Sequence, residues 1–161
     1  MKKMFLTLAF ALVSLVSYAQ TYKFYQTQNY HNKLRLNTIT GEVYQIQDDG
    51  QSFLVHPSTT PYNIYENRYV LYETENMWTY ILLDRFLGKL WQCQYSVKGP
   101  EYRASWPINS MPLSVSSTAK FTIEPLISMY QFYLINQEDG DMWKFQWSTK
   151  GDDYRWIEKF N

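Results

Sequence analysis

Amides are the side chains in this sequence best suited to recognition chemistry. Gln45 and Gln47, Gln92 and Gln94, and Lys144 and Gln146 form three pairs at alternate positions, recurring at spacings of 47 and 52 residues. A primary amide offers two donors and one acceptor, so a repeated row beside aromatics could grip a sugar or a peptide. The same row could instead be a hydrogen-bond ladder tying repeated units together. A second group, His31, Lys33 and Arg35, puts basic side chains on one face of a single strand. That face could meet an anionic partner, or it could be the solvated face of a terminal unit. A third signal is Lys-Gly-x-x-Tyr-Arg, found at Lys98–Arg103 and again at Lys150–Arg155. Its Tyr-Arg pair could stack on a neighbouring unit or clamp a planar or saccharide ligand.

The residue types that reaction chemistry needs are present without the required spacing. His31 and His56 lie in different strands and belong to no metal-ligand pattern. Asp48-Asp49 and Asp152-Asp153 pair carboxylates in turns open to solvent, whereas acid–base work needs one partner desolvated. The acidic turn at Glu138, Asp139 and Asp141 lacks the alternating ligands of a calcium loop and is missing from its sister copies. Cys93 stands where the other copies have Ile46 and Phe145, which reads as a small buried hydrophobe rather than a nucleophile. Nucleophile elbow, phosphate loop and dinucleotide fingerprint are all lacking. The reading is therefore of no catalytic residue, no metal, no cofactor and no enzyme, with a hydrolase assembled from distant groups as the remaining alternative. Fifteen Lys and Arg against fifteen Asp and Glu leave no basic footprint for nucleic acid.

These side chains need a scaffold, and the scaffold is a repeat. Met77–Asp84 lies over Met129–Asn136 at an offset of 52, with Gly88 on Gly140, Trp91 on Trp143, Lys98-Gly99 on Lys150-Gly151 and Tyr102-Arg103 on Tyr154-Arg155. An earlier copy at offset 47 puts Thr27 on Thr74, Gly41 on Gly88, Tyr44 on Trp91 and Gln45 on Gln92. Each unit predicts a meander of four strands, in the middle unit Arg68–Thr74, Met77–Asp84, Lys89–Ser96 and about Tyr102–Trp106. Asn37–Gly41, Asp84–Gly88 and Asn136–Gly140 then form one hairpin turn three times: an Asx side chain bonds the backbone where the turn starts, and Gly supplies positive φ where it ends. On the third strands Tyr44 and Ile46, Trp91, Cys93 and Tyr95, and Trp143, Phe145 and Trp147 mark a core face opposite the Gln row. The fold expected is all-β, three four-stranded antiparallel meanders with pseudo-threefold symmetry, small and propeller-like, with a β-trefoil as the alternative.

Residues 1–19 read as a signal peptide: Lys2 and Lys3 precede a short apolar run, and Ser17-Tyr18-Ala19 places small residues for cleavage before Gln20. No cysteine follows that point for lipidation, and no later run is long enough for a membrane helix. The expectation is a bacterial protein exported to the periplasm or beyond, not a lipoprotein. Residues 20–161 would form a single all-β domain with repeats at about 22–58, 67–109 and 120–161. Pro57–Pro61 and Ser114–Thr118 would be the linkers between them.

The three-unit pattern, with Trp-Gln-x-Gln at Trp91–Gln94 and its echo at Tyr44–Gln47, resembles pseudo-threefold or propeller-like lectin modules. The third copy departs from it with Lys144, and trefoil lectins place Gln before Trp, so the resemblance transfers no individual sugar-binding residue. It implies repeated sites built from aromatic rings and amides. The function expected is an exported, non-enzymatic binding module for a glycan or cell-envelope component. The alternative is a module for a protein partner, such as an envelope inhibitor, immunity or assembly protein, met by His31, Lys33 and Arg35.

Overall fold

The computed structural model describes residues 21–59, 65–110, 112–113 and 118–160. The signal-peptide segment, the end of the first proposed linker (60–61) and most of the second (114–117) lie outside the described residues. Twelve strands form three four-stranded antiparallel meanders. The first sheet holds β1 (Tyr22–Gln26), β2 (Asn32–Asn37), β3 (Val43–Gln47) and β4 (Ser52–His56). The second holds β5 (Tyr69–Glu73), β6 (Thr79–Asp84), β7 (Lys89–Gln94) and β8 (Ala104–Pro107). The third holds β9 (Phe121–Pro125), β10 (Gln131–Asn136), β11 (Met142–Gln146) and β12 (Trp156–Lys159). The fold is all-β with threefold internal repetition, as the offsets predict. The sheets stay open and stack face to face like blades. A trefoil would need strands from all three units to close one barrel, so that alternative is set aside.

The hairpin turns have the chemistry the sequence implies. Asn37 Oδ1 accepts from the Ile39 and Thr40 N–H groups, Asp84 Oδ1 from Phe86 and Leu87, and Asn136 Oδ1 from Glu138. Gly41, Gly88 and Gly140 follow at φ of 76°, 65° and 81°. The fourth strands of the second and third sheets start later than expected. Pro100–Tyr102 and Asp152–Tyr154 each form a single 3-10 turn after Gly99 and Gly151, which places Tyr102 and Tyr154 in turns rather than strands.

Two cores lie between three sheets. Leu34, Leu36, Val43 and Val55 of the first sheet meet Leu71, Leu82, Trp91, Cys93 and Tyr95 of the second. Ile81, Leu83, Leu90 and Ile108 on the other face of the second sheet meet Ile123, Leu134, Phe145 and Trp147 of the third. The middle sheet is covered on both faces, which is why all six residues of β6 are buried. One correction follows for the first sheet: Tyr44 and Ile46 share the face of Trp91 and Cys93, yet no sheet precedes them, and both are only half-buried.

Both interfaces use the same directional contacts. The Tyr69 N–H donates to Thr38 O at 2.9 Å, and the Phe121 N–H to Arg85 O at 3.0 Å. Tyr25 Oη accepts the Leu71 N–H, and Tyr72 Oη accepts the Ile123 N–H. Gln45 Oε1 accepts the Ser96 N–H at 3.3 Å, and Gln92 Oε1 accepts the Ser148 N–H at 3.0 Å. Arg103 stacks on Phe53 and Arg155 on Trp106. An aromatic ring of the next sheet also closes over the hairpin glycine of the one before. A Cβ on Gly41 would lie 2.9 Å from Tyr69, one on Gly88 would lie 3.0 Å from Phe121, and one on Gly140 would meet nothing.

That contrast separates turn strain from packing. By urea unfolding, we expect Gly140→Ala to cost about 1 kcal/mol from positive φ alone. Gly88→Ala should cost about 1–3 kcal/mol more, because Phe121 must move. Equal costs would show that the third sheet does not pack on the Gly88 hairpin.

Candidate functional site

The Gln row divides into two sets. Gln45 and Gln92 face the next sheet and are buried in the interfaces, with Gln45 Nε2 also donating to Asn32 Oδ1 at 2.6 Å and Gln45 Oε1 also accepting from Arg103 Nε at 3.0 Å. A ligand reading does not suit Gln45, whose amide is fully engaged in holding two sheets together. Lys144 occupies the same position on the third sheet, which no further sheet covers among the described residues, and is partly exposed. Gln94 and Gln146 instead pin the turn of their own unit, each Nε2 donating at 3.0 Å to the carbonyl of Tyr102 or Tyr154. Gln47, the first-sheet counterpart, is half-buried.

Pinning that turn builds a pocket, and the pocket occurs twice. In the second sheet Trp78, Gln94, Tyr95, Ser96, Lys98 and Tyr102 line a cavity of about 240 Å³. In the third, Tyr130, Gln146, Trp147, Ser148, Lys150 and Tyr154 line one of about 140 Å³. Every pair stands at the offset of 52. Trp78 packs on buried Tyr95 with ring centroids 5.2 Å apart, and Tyr130 packs on buried Trp147 at 5.0 Å. Lys98 and Lys150 lie over Tyr102 and Tyr154, whose rings are about half exposed. Burial raises the Tyr95 hydroxyl pKa, so that group stays protonated. Each pocket offers apolar ring surface beside an amide, the hydroxyl-bearing Ser96 and Tyr102 or Ser148 and Tyr154, and an ammonium, a pattern fitted to a small polyhydroxylated ligand. In the Lys-Gly-x-x-Tyr-Arg motif the Arg stacks on the preceding sheet, the first of its two suggested roles, while the Tyr lines the pocket.

The first sheet differs at the positions that line this pocket. His31 replaces Trp78, Asp48 replaces Tyr95, and the two pair at 2.8 Å on the surface. Lys33 is exposed, and Arg35 lies between the rings of Tyr22 and Tyr44. Phe24 and Leu54, which flank Arg35 and Tyr44 in one row across this sheet, are 56% and 48% exposed. Sequence reasoning picked out the Gln row and the Tyr-Arg motif but missed Trp78, Tyr95, Tyr130 and Trp147 as pocket walls. Their signal was the offset itself, which pairs Trp78-Tyr95 with Tyr130-Trp147, the same two rings exchanged.

Between the second and third sheets, a groove of about 430 Å³ shares Gln94 and Thr149 with the first pocket and Ser148 and Thr149 with the second. Arg155 lines this groove and pairs with Asp152, and burial lowers its pKa. Cys93 is buried, which pushes its thiol pKa up and away from nucleophilic use. Among the described residues, no three His, Cys, Asp or Glu side chains gather as a metal site, and no helix is long and apolar enough to cross a membrane. The chain matches no protein-family model, and no curated protein or solved structure is significantly similar to it.

His56 is a core histidine. Its Nδ1 and Ser105 Oγ share a hydrogen bond of 2.7 Å, its ring packs on Trp91, and burial lowers its pKa from 6.5 to about 4. The unfolded chain takes up this proton at higher pH than the folded one. Its contribution to stability is therefore complete above pH 6.5 and is lost as the pH falls towards 4. Denaturant titrations across this range should show a loss of about 3 kcal/mol from this group. In His56→Gln that component should be missing; an unchanged pH profile would show that His56 is not buried and neutral.

Proposed function

We propose that this protein is an exported, non-enzymatic binding module for a glycan or cell-envelope component, with one saccharide-sized site in each of its second and third units. The observation that carries this reading is the duplicated pocket. Aromatic walls, an amide fixed by its own turn and a lysine over a tyrosine recur at equivalent positions, although packing alone would not require the Lys and Tyr to be kept. The leader read from the sequence supports export, and an envelope glycan is a ligand such a protein would meet.

A second reading, a single protein partner such as an envelope inhibitor, immunity or assembly protein, is favoured by the first sheet. Its outer face combines Lys33 and Arg35 with exposed Phe24 and Leu54, an apolar patch rimmed by cations. His31 sits at its border.

The readings differ in stoichiometry and in the residues they need. A glycan and envelope-polysaccharide array followed by isothermal titration should find two weak sites per chain. Trp78→Ala and Tyr130→Ala should each remove one site, with an affinity loss there of about tenfold or more. The triple substitution His31→Ala, Lys33→Ala and Arg35→Ala should leave both sites intact. No saccharide binding, together with tight one-to-one protein binding lost in the triple variant, would replace the first reading with the second.

A further inference from the structure

The two sheet interfaces differ at the position of Asn32 and Thr79, and the difference leaves buried donors on residues that line the groove. In the first interface Asn32 Oδ1 accepts from Gln45 Nε2, while Gln45 Oε1 accepts from both Ser96 N–H and Arg103 Nε. Every polar atom of that amide is used. In the second interface Thr79 stands where the first has Asn32, and its shorter side chain carries no carbonyl to reach the amide. Gln92 Oε1 still accepts from Ser148 N–H, but Gln92 Nε2, Thr79 Oγ1 and Arg155 Nε are buried without a hydrogen-bond partner. Gln92 is 1% exposed and the Arg155 side chain 6%. A buried donor left unsatisfied costs about 1–3 kcal/mol, so two such nitrogens on one groove are not a neutral feature of packing.

Both nitrogens belong to residues lining the groove, beside Trp106, which neighbours Gln92 across the strands and stacks under Arg155. Neither can accept, so each calls for an acceptor, and a group with two acceptor oxygens could serve both. The charged side chains along the connected track are Lys98, Lys150 and Arg155, against one carboxylate, Asp152, which is already paired with Arg155. We propose that the groove between the second and third sheets binds a carboxylate of an acidic saccharide, one oxygen taking Gln92 Nε2–H and the other Arg155 Nε–H, with the flanking pockets holding neighbouring sugar rings. This rests on the saccharide reading of those pockets and narrows it to glycans containing uronic acid.

Isothermal titration of the mature chain with oligosaccharides of galacturonate, glucuronate and mannuronate, each beside its methyl ester, tests the assignment. At least one acid should bind about tenfold or more tightly than its ester, because a charge-assisted pair of hydrogen bonds is lost on esterification. Gln92→Glu keeps the acceptor for Ser148 N–H but turns the donor into an oxygen, and should abolish the preference for the acid. Thr79→Asn rebuilds the closed arrangement of the first interface. It should raise the thermal midpoint while abolishing the same preference. Acid and ester binding alike in every pair would overturn the carboxylate site and leave the pocket reading standing. A preference that survives both substitutions would also overturn it. If neither acids, esters nor neutral oligosaccharides bind, the pocket reading fails, and this assignment with it.

Discussion

A side-chain amide accepting a backbone N–H from the next sheet is the contact on which the architecture depends. Two apolar sheet faces pressed together gain stability from buried area, roughly 25 cal/mol per Å², but that gain is nearly indifferent to sliding. Gln45 to Ser96 and Gln92 to Ser148 are worth only about 1 kcal/mol each when made. If the sheets slip, however, each leaves a buried amide and a buried N–H without partners, and the penalty exceeds the gain. Burial therefore drives the stacking, and these bonds set its register. The pocket walls follow from that register. Ser96 and Ser148 sit at the ends of the bonds and line the same cavities that Trp78 and Tyr130 close.

The ends of the stack show what a unit carries when it has no neighbour. Across the first sheet the row facing the next sheet reads Tyr25, Leu34, Gln45 and Phe53; across the second it reads Tyr72, Ile81, Gln92 and Trp106. Across the third it reads Glu124, Tyr133, Lys144 and Glu158. Each side chain that contacts the following sheet through a hydrogen bond or a stacked guanidinium is replaced by a charge, as expected of a capping repeat. The opposite end is not treated in this way. The first sheet keeps Phe24, Tyr44 and Leu54 on its outer face and adds Lys33 and Arg35 among them.

Much of this was legible in the sequence because it is local. The repeat offsets gave the three meanders because they need only the sequence laid over itself, and Asx-to-Gly spacing gave the hairpins because each turn depends on residues four positions apart. Alternation placed Gln45 and Gln47 on one face correctly. It could not say that Gln45 lies under the next sheet while Gln47 lies at its rim, because that is decided by a partner about fifty residues away in sequence. Tyr44 and Ile46 were read as core for the same reason. Their counterparts Trp91 and Cys93 are core only because a sheet precedes them. The roles of Thr79 and Arg155 were hidden further still, since their isolation appears only when Asn32 and Arg103 are seen in the equivalent interface.

The most direct test of the stacked arrangement is native-state hydrogen exchange at four amides: Leu71, Ser96, Ile123 and Ser148. Each donates across an interface to a side chain of the preceding sheet and not to a strand of its own. If the sheets stack through these bonds, all four should exchange only through large-scale opening, with protection close to that of the central strands. Exchange at Ser96 and Ser148 as fast as at exposed turn amides, with the strands of each sheet still protected, would contradict the account.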